Sequence, residues 1–415
     1  MSRHASAVRA RLLILGGGYV GIDAYRAVMR QLGPQVRRGQ VEITVVNSTP
    51  YHTFHGFTGE VLGGVLPLER TLTPLRDLLP QARVIEATVT RAELPMQRVH
   101  VQDQAGRTST LCYDHLLIGT GSRDPFERVP GLREHGWRLK DSRDMQAFRA
   151  HLAQRLADGQ PTTLAVIGGG FAGVEMAAAL RERLTRAGVP GEVDLLCSGG
   201  VLDCLQARFG GLAAHARQAL QRAGVQLHLG RRVTEIRAGE VRLEDGASLR
   251  ADEILYAAGI ALSVLPGTEE LPRDGAGRLL TDDFLRVQGQ TRLWTGGDAA
   301  RVRHPARAGD CPVNALWAMK HGMWAGHNMA RSVQAWSLKR FSYRGLGQVA
   351  GLGRGDGVGE LFGVPLTGAA AWWLRLLFFV WYMPSKRQGA RAFAAMLRPP
   401  RRRGTPAPAL QPTGG

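Results

Sequence analysis

Twice in this chain a short apolar run ends in the same glycine-rich turn. Leu12-Leu13-Ile14-Leu15 runs into Gly16-Gly17-Gly18-Tyr19-Val20-Gly21, and Leu164-Ala165-Val166-Ile167 runs into Gly168-Gly169-Gly170-Phe171-Ala172-Gly173. Helical patterns follow both, over 22–32 and 174–184. A buried strand that turns tightly into a helix, with no side chain in the way, leaves the helix N-terminus open to a pyrophosphate. With 53 glycines among 415 residues, one copy would mean little. Two copies in the same strand–turn–helix setting predict two dinucleotides on one protein, and so electron transfer between them.

The length predicts two or three domains. Apolar residues make up 44% and charged residues 21%, the composition of a globular enzyme. Residues 1–10 carry no apolar h-region, so no secretory signal is expected. Cys112, Cys197, Cys204 and Cys311 have neither Cys-x-x-Cys nor zinc-ligand spacing, which predicts incidental thiols and no metal. The formal net charge is +18, and apart from Lys140, Lys320, Lys339 and Lys386 every one of the 53 basic residues is arginine. Such a skew reads partly as genome composition and partly as attraction to anionic lipid. Nucleic acid is disfavoured, since no DNA- or RNA-binding signature accompanies the charge.

Two dinucleotide-binding units are expected in an α/β chain: one over 8–125 and 281–335, the other over 126–280. A C-terminal membrane-association region would follow over 336–398, with a disordered tail over 399–415. In such folds the residue ending the second strand faces the adenosine ribose. In the first unit it is Asn47, whose carbonyl is able to accept from a hydroxyl. In the second it is Cys197, followed by Ser198. No carboxylate there repels a 2′-phosphate and no arginine or lysine adjacent in sequence recruits one, so NADH and NADPH both stay open.

Further motifs complete a pattern: Tyr51-His52-x-Phe54, Tyr113-Asp114-His115-Leu116-Leu117-Ile118-Gly119-Thr120-Gly121, Gly173-Val174-Glu175, Ala257-Ala258-Gly259, and Gly296-Gly297-Asp298-Ala299-Ala300. Near the end stands Leu366-Thr367-Gly368-x-x-Ala371-Trp372, running into an apolar and basic tail. Over nearly its whole length the chain resembles the two-dinucleotide-binding flavoprotein oxidoreductases, and most closely the type II, non-proton-pumping NADH:quinone dehydrogenases. The resemblance implies two Rossmann-like domains. The first would hold FAD, with Gly16, Gly18 and Gly21 at its pyrophosphate, Asn47 at its ribose, Thr120 and Gly121 beside it, and Gly297 and Asp298 at its ribityl chain. The second would hold NADH or NADPH on Gly168, Gly170 and Gly173, with Gly259 nearby. Glu175 falls where the family places a glutamate near the nicotinamide–flavin contact; the alternative is a carboxylate stabilised by the helix dipole. Hydride transfer between stacked rings needs positioning more than acid–base groups.

By the same resemblance, the helix after the Gly-Asp motif points its positive end at the flavin. The family's quinone signature there is Ala-Gln-x-Ala-x-Gln, whereas this chain reads Ala315-Leu316-Trp317-Ala318-Met319-Lys320. Lys320 would stabilise negative charge on reduced flavin or quinol, or else mark a different acceptor. Residues 369–383 are apolar around a single Arg375 and are shorter than the ~20 residues that span a bilayer. Beyond them Arg387, Arg391 and Arg398 share one helical face, which predicts an interfacial helix on anionic lipid. The alternative is packing on the protein's own body or on the partner in a homodimer.

The leading expectation is therefore a peripheral enzyme on the cytoplasmic face of the cell membrane, passing electrons from NAD(P)H through FAD to a quinone. Alternatives are a soluble flavin reductase or diaphorase and an apoptosis-inducing-factor-like redox switch. Sulfide:quinone reduction is disfavoured by the cysteine spacing.

Overall fold

The computed structural model describes residues 10–397, so Arg398 and the tail 399–415 lie outside the described residues. Six helices matter below: α1 (Tyr19–Arg37), α2 (Thr58–Leu62), α3 (Phe171–Ala187), α4 (Ala315–Val333), α5 (Gly368–Tyr382) and α6 (Lys386–Leu397).

The described residues divide into two compact units, the first formed by residues 10–53, 72–123 and 260–345. Its five-stranded parallel sheet has the order Leu293–Thr295, His115–Ile118, Ala10–Leu15, Val41–Asn47, Arg83–Glu86. The central strands Ala10–Leu15 and His115–Ile118 are near-continuous buried runs because both faces are covered, and Ile14, Val45, Leu117 and Trp294 form the centre of the core. Asp114 pins the start of the first strand by accepting from the Arg11 backbone N–H at 2.7 Å and from its guanidinium. α1 and α4 pack unusually closely. A Cβ on Gly322 would lie 2.3 Å from the Val20 carbonyl oxygen, and one on Gly326 would lie 2.3 Å from that of Ala24.

The second unit comprises residues 54–71, 124–259 and, among the described residues, 346–397. Its parallel sheet repeats the arrangement, in the order Gly136–Trp137, Glu253–Tyr256, Thr162–Ile167, Gly191–Cys197, Gln226–Leu229. The edge strand differs: the first unit draws it from late in the chain, the second from just before its glycine turn. An antiparallel sheet of Gly347–Gly351, Gly357–Leu361 and Val364–Thr367 leads into α5 and α6.

These divisions differ from the expected ones: residues 54–71, expected in the first unit, group with the second, and residues 336–345, expected in the C-terminal region, group with the first. Residues 260–280 group with the first unit, where the Ala92 N–H donates to the Pro266 carbonyl at 2.8 Å. The expected C-terminal region instead has its residues 346–397 in the second unit, because α5 is tied to α2 and α3 by Arg375, as described below.

Candidate functional site

Each glycine turn forms the same cradle. The Gly16 N–H donates to the Val46 carbonyl at 2.8 Å, and the Gly168 N–H donates to the Leu196 carbonyl at 2.8 Å. Gly16 and Gly168 take φ of +104° and +127°, where L side chains are strained. Gly21 and Gly173 let strand and helix close on each other. A Cβ on Gly21 would sit 2.0 Å from the Gly16 oxygen, and one on Gly173 would sit 1.8 Å from the Gly168 oxygen. Gly18 and Gly170 differ in kind, since a Cβ there would meet nothing within 4 Å. They are the N-caps of α1 and α3, no side chain caps either helix, and neither first turn contains an acid. The residues therefore fit two diphosphates: open space, backbone donors and the positive helix end meet at both.

In the first unit Asn47 Oδ1 accepts from the Gly17 N–H at 2.8 Å, while Nδ2 donates to the Thr49 carbonyl at 2.8 Å. Its expected hydroxyl contact thus shares an oxygen already used to hold the glycine turn. Ser122 Oγ donates to Asp298 Oδ2 at 2.5 Å, joining the turn at Thr120-Gly121 to the Gly-Asp loop. Asn314 caps α4 by accepting from the Trp317 N–H at 3.0 Å, so Ala315 opens a helix with no acid in its first turn.

Two further residues of this unit qualify the sequence reading. Lys320 Nζ stands 5.4 Å from the centre of the Tyr343 ring. It also acts on Asp23 of α1, whose carboxyl is pushed up by burial and drawn back by Arg26 and Lys320. His321 was not anticipated. Its Nδ1 accepts from the Gly297 N–H at 3.1 Å, and burial pushes its pKa down to about 3. It is a neutral acceptor fixing the loop that carries Asp298.

In the second unit Cys197 packs beneath the cradle; a Cβ on Gly169 would lie 2.7 Å from its Sγ. Burial pushes the Cys197 thiol up to about 11. Gly259 lies three residues beyond the strand Glu253–Tyr256, which pairs with Thr162–Ile167; a Cβ there would lie 2.4 Å from Arg128 Nη1, which donates to the Ala258 carbonyl at 3.0 Å.

Glu175 lies beyond the first turn of α3, and an ion pair rather than the helix dipole accounts for it. Its Oε1 accepts from Arg375 Nε and from the Gly351 N–H at 2.8 Å. Arg375 also reaches Glu60 of α2 and donates to the Gly56 carbonyl at 3.0 Å. One guanidinium, 2% exposed, thus joins three segments widely separated in sequence. Burial raises the Glu175 carboxyl, Arg375 lowers it, and nearby Glu60 raises it again; the net direction is upward. Burial opposes the charge on Arg375, but Glu175 and Glu60 outweigh it. In the sequence Arg375 is the lone charge of an apolar run, and only the meeting of three segments reveals its role.

The opposite side of α5 is open. Trp373, Leu377 and Trp381, one turn apart, are 43%, 55% and 70% exposed. Lys386, Arg387 and Arg391 follow on exposed positions of α6, with Lys386 Nζ 4.8 Å from the centre of the Trp381 ring. Among the described residues no helix is long and apolar enough to cross a membrane. All four cysteines are free.

The profile describing pyridine nucleotide-disulphide oxidoreductases matches residues 11–322. Demethylphylloquinone reductase of Synechocystis sp. is 29% identical over 385 residues, covering 91% of this chain and 93% of that protein. Type II NADH:quinone oxidoreductase of Staphylococcus aureus is 25% identical over 381 residues, covering 88% and 92% respectively. The fold matches that of NDH2 from Plasmodium falciparum, solved in complex with NADH, with a TM-score of 0.81 at 14% identity over 94% of this chain and 98% of that one.

Proposed function

The chain belongs to the pyridine nucleotide-disulphide oxidoreductase family, and from that premise we propose an FAD-dependent NAD(P)H dehydrogenase that reduces a membrane quinone without pumping protons. One observation carries the two-cofactor reading: each unit repeats the same open cradle at the end of a parallel sheet. Quinone as the acceptor is supported by the two curated relatives, both named for quinone reduction. When bound, FAD supplies a ring that takes a hydride from NAD(P)H and passes two electrons onward, so that NAD(P)H, a proton and quinone become NAD(P)+ and quinol.

The chain's own residues bind and orient. Gly16, Gly18 and Gly21 open α1 to the FAD diphosphate, while Gly168, Gly170 and Gly173 open α3 to that of NAD(P)H. Thr120, Gly121, Gly297 and Asp298 form the loop pair for the ribityl chain, with His321 and Ser122 holding it in place. Ala315 begins a helix with no acid in its first turn, whose positive end would favour negative charge on a bound flavin. Gly259 lines the nicotinamide side, and Glu175, fixed by Arg375, stands at that cradle's helix. Bleaching of the flavin spectrum by NADH or NADPH in stopped flow, with fast reoxidation by a quinone, is the expected result. A colourless protein, or one reoxidised by oxygen but not by quinone, would sink the proposal.

A diaphorase with another acceptor is the second reading, favoured by Leu316 and Lys320 where the family signature has glutamines. Lys320→Met separates the two. If the lysine stabilises charge at the acceptor step, quinone turnover falls by about ten- to a hundredfold while flavin reduction by NAD(P)H keeps its rate. An unchanged quinone rate discards that role.

The exposed stripe of α5 and the basic start of α6 fit a monolayer surface, with tryptophan at the headgroup level and cations at anionic lipid. The enzyme would then sit peripherally on the cytoplasmic face of the cell membrane. Flotation with vesicles containing anionic lipid should be lost in the triple variant Trp373→Ser, Leu377→Ser, Trp381→Ser. Retained flotation, or dimerisation through this stripe in detergent-free buffer, would assign the face to another partner.

A further inference from the structure

The selectivity of the second cradle is written at a place that sequence order hides. The strand Gly191–Cys197 pairs in parallel with Gln226–Leu229, so the chain just beyond each strand emerges side by side. There the Gly230 N–H donates to the Gly199 carbonyl at 2.9 Å, and the Arg231 N–H donates to the Cys197 carbonyl at 3.0 Å. The position that faces the adenosine ribose in this fold is thereby stitched to a turn carrying two consecutive arginines, Arg231 and Arg232.

Three properties of this corner bear on what it accepts. The residue at the ribose position is a buried neutral thiol, so it brings no negative charge. The nearby carboxylate of Asp203 is turned to the backbone, accepting from the Gly200 N–H at 2.5 Å. The guanidinium groups are exposed and loosely engaged, Arg231 with Asp245 at 3.5 Å and Arg232 with Glu244 at 3.8 Å. Exposed pairs of that length hold a side chain weakly, so an arriving phosphate competes for them at little cost. A carboxylate here would accept from both ribose hydroxyls and repel a 2′-phosphate; a pair of arginines does the reverse.

We infer that Arg231 and Arg232 select a 2′-phosphorylated nucleotide, making NADPH rather than NADH the preferred electron donor. The inference rests on the second cradle being the nicotinamide nucleotide site, and the experiment distinguishes the two failures. Calorimetry on the flavin-loaded protein would compare 2′,5′-ADP with 5′-AMP, which differ only in the phosphate at issue. Binding of 2′,5′-ADP should be tighter by about tenfold or more, as expected for hydrogen bonds to a charged group, and the difference should shrink as salt is raised. In Arg231→Gln/Arg232→Gln the ratio should collapse towards one. Ser198→Glu, which adds a carboxylate at the exposed position directly after Cys197, should invert it.

Equal or tighter binding of 5′-AMP by the unaltered protein overturns the inference alone. So does a preference that survives in the double variant with circular dichroism unchanged. Failure of both compounds to bind overturns the inference together with the assignment of the cradle.

Discussion

Arg375→Leu is expected to cost about 3–5 kcal/mol of stability, the usual consequence of removing one member of a buried ion cluster. Glu60 and Glu175 would be left facing each other without a counter-charge, and the Gly56 carbonyl would lose its donor. The loss has a distinctive pH signature. Burial and Glu60 already raise the Glu175 carboxyl while Arg375 lowers it, so the variant raises it further. A group whose folded pKa lies above its unfolded value contributes stability that is full below the unfolded pKa. That stability is lost as pH rises through the folded pKa. Thermal melts of the detergent-purified variant should therefore recover part of the deficit towards acid pH, relative to the unaltered protein. A variant equally destabilised at every pH would show that no carboxylate is stranded. Replacing all three charges together, by Glu60→Gln, Glu175→Gln and Arg375→Met, should be less damaging than removing the arginine alone.

Alanine at Gly21 and at Gly173 should disable the two cradles independently. Each Cβ would fall at or under 2.0 Å from a backbone oxygen, which no side-chain adjustment relieves. Gly21→Ala is expected to purify with little flavin. Gly173→Ala should keep its flavin absorbance yet lose NAD(P)H-dependent bleaching by more than about a hundredfold, since displacement of the positioned reactant by an ångström is that costly. Gly18→Ala and Gly170→Ala provide the contrast. There the protein has room for a methyl group, so melting temperature should hold while nucleotide affinity falls. Should Gly173→Ala be reduced by NAD(P)H at the normal rate, the second cradle is not where the nicotinamide nucleotide binds.

The repeated turns were legible because their requirements are local. Strand, turn and helix lie within a dozen residues, and the backbone of Gly16 or Gly168 admits hardly any other residue. The residues that close on them, Gly21 and Gly173, follow from the same geometry. What the sequence concealed was assembled over distance. Asn47 was recognised as a ribose position, but its bond to Gly17 depends on how two strands lie in register. Nothing in the sequence marks His321, because its role depends on the Gly-Asp loop lying against it. Arg375 was the hardest, because its meaning depends on α2, α3 and α5 converging, and residues 54–71 carry no periodicity that assigns them to the second unit. Arg231 belongs to the same class, brought beside Cys197 by strand pairing alone.

The two-sided character of α5 has a practical corollary for anyone handling this enzyme. Deleting everything after residue 367, the obvious route to a detergent-free preparation, would also pull the bolt out of the second cradle and abandon two acids in its interior. The greasy exterior has to be repainted in place, not sawn off.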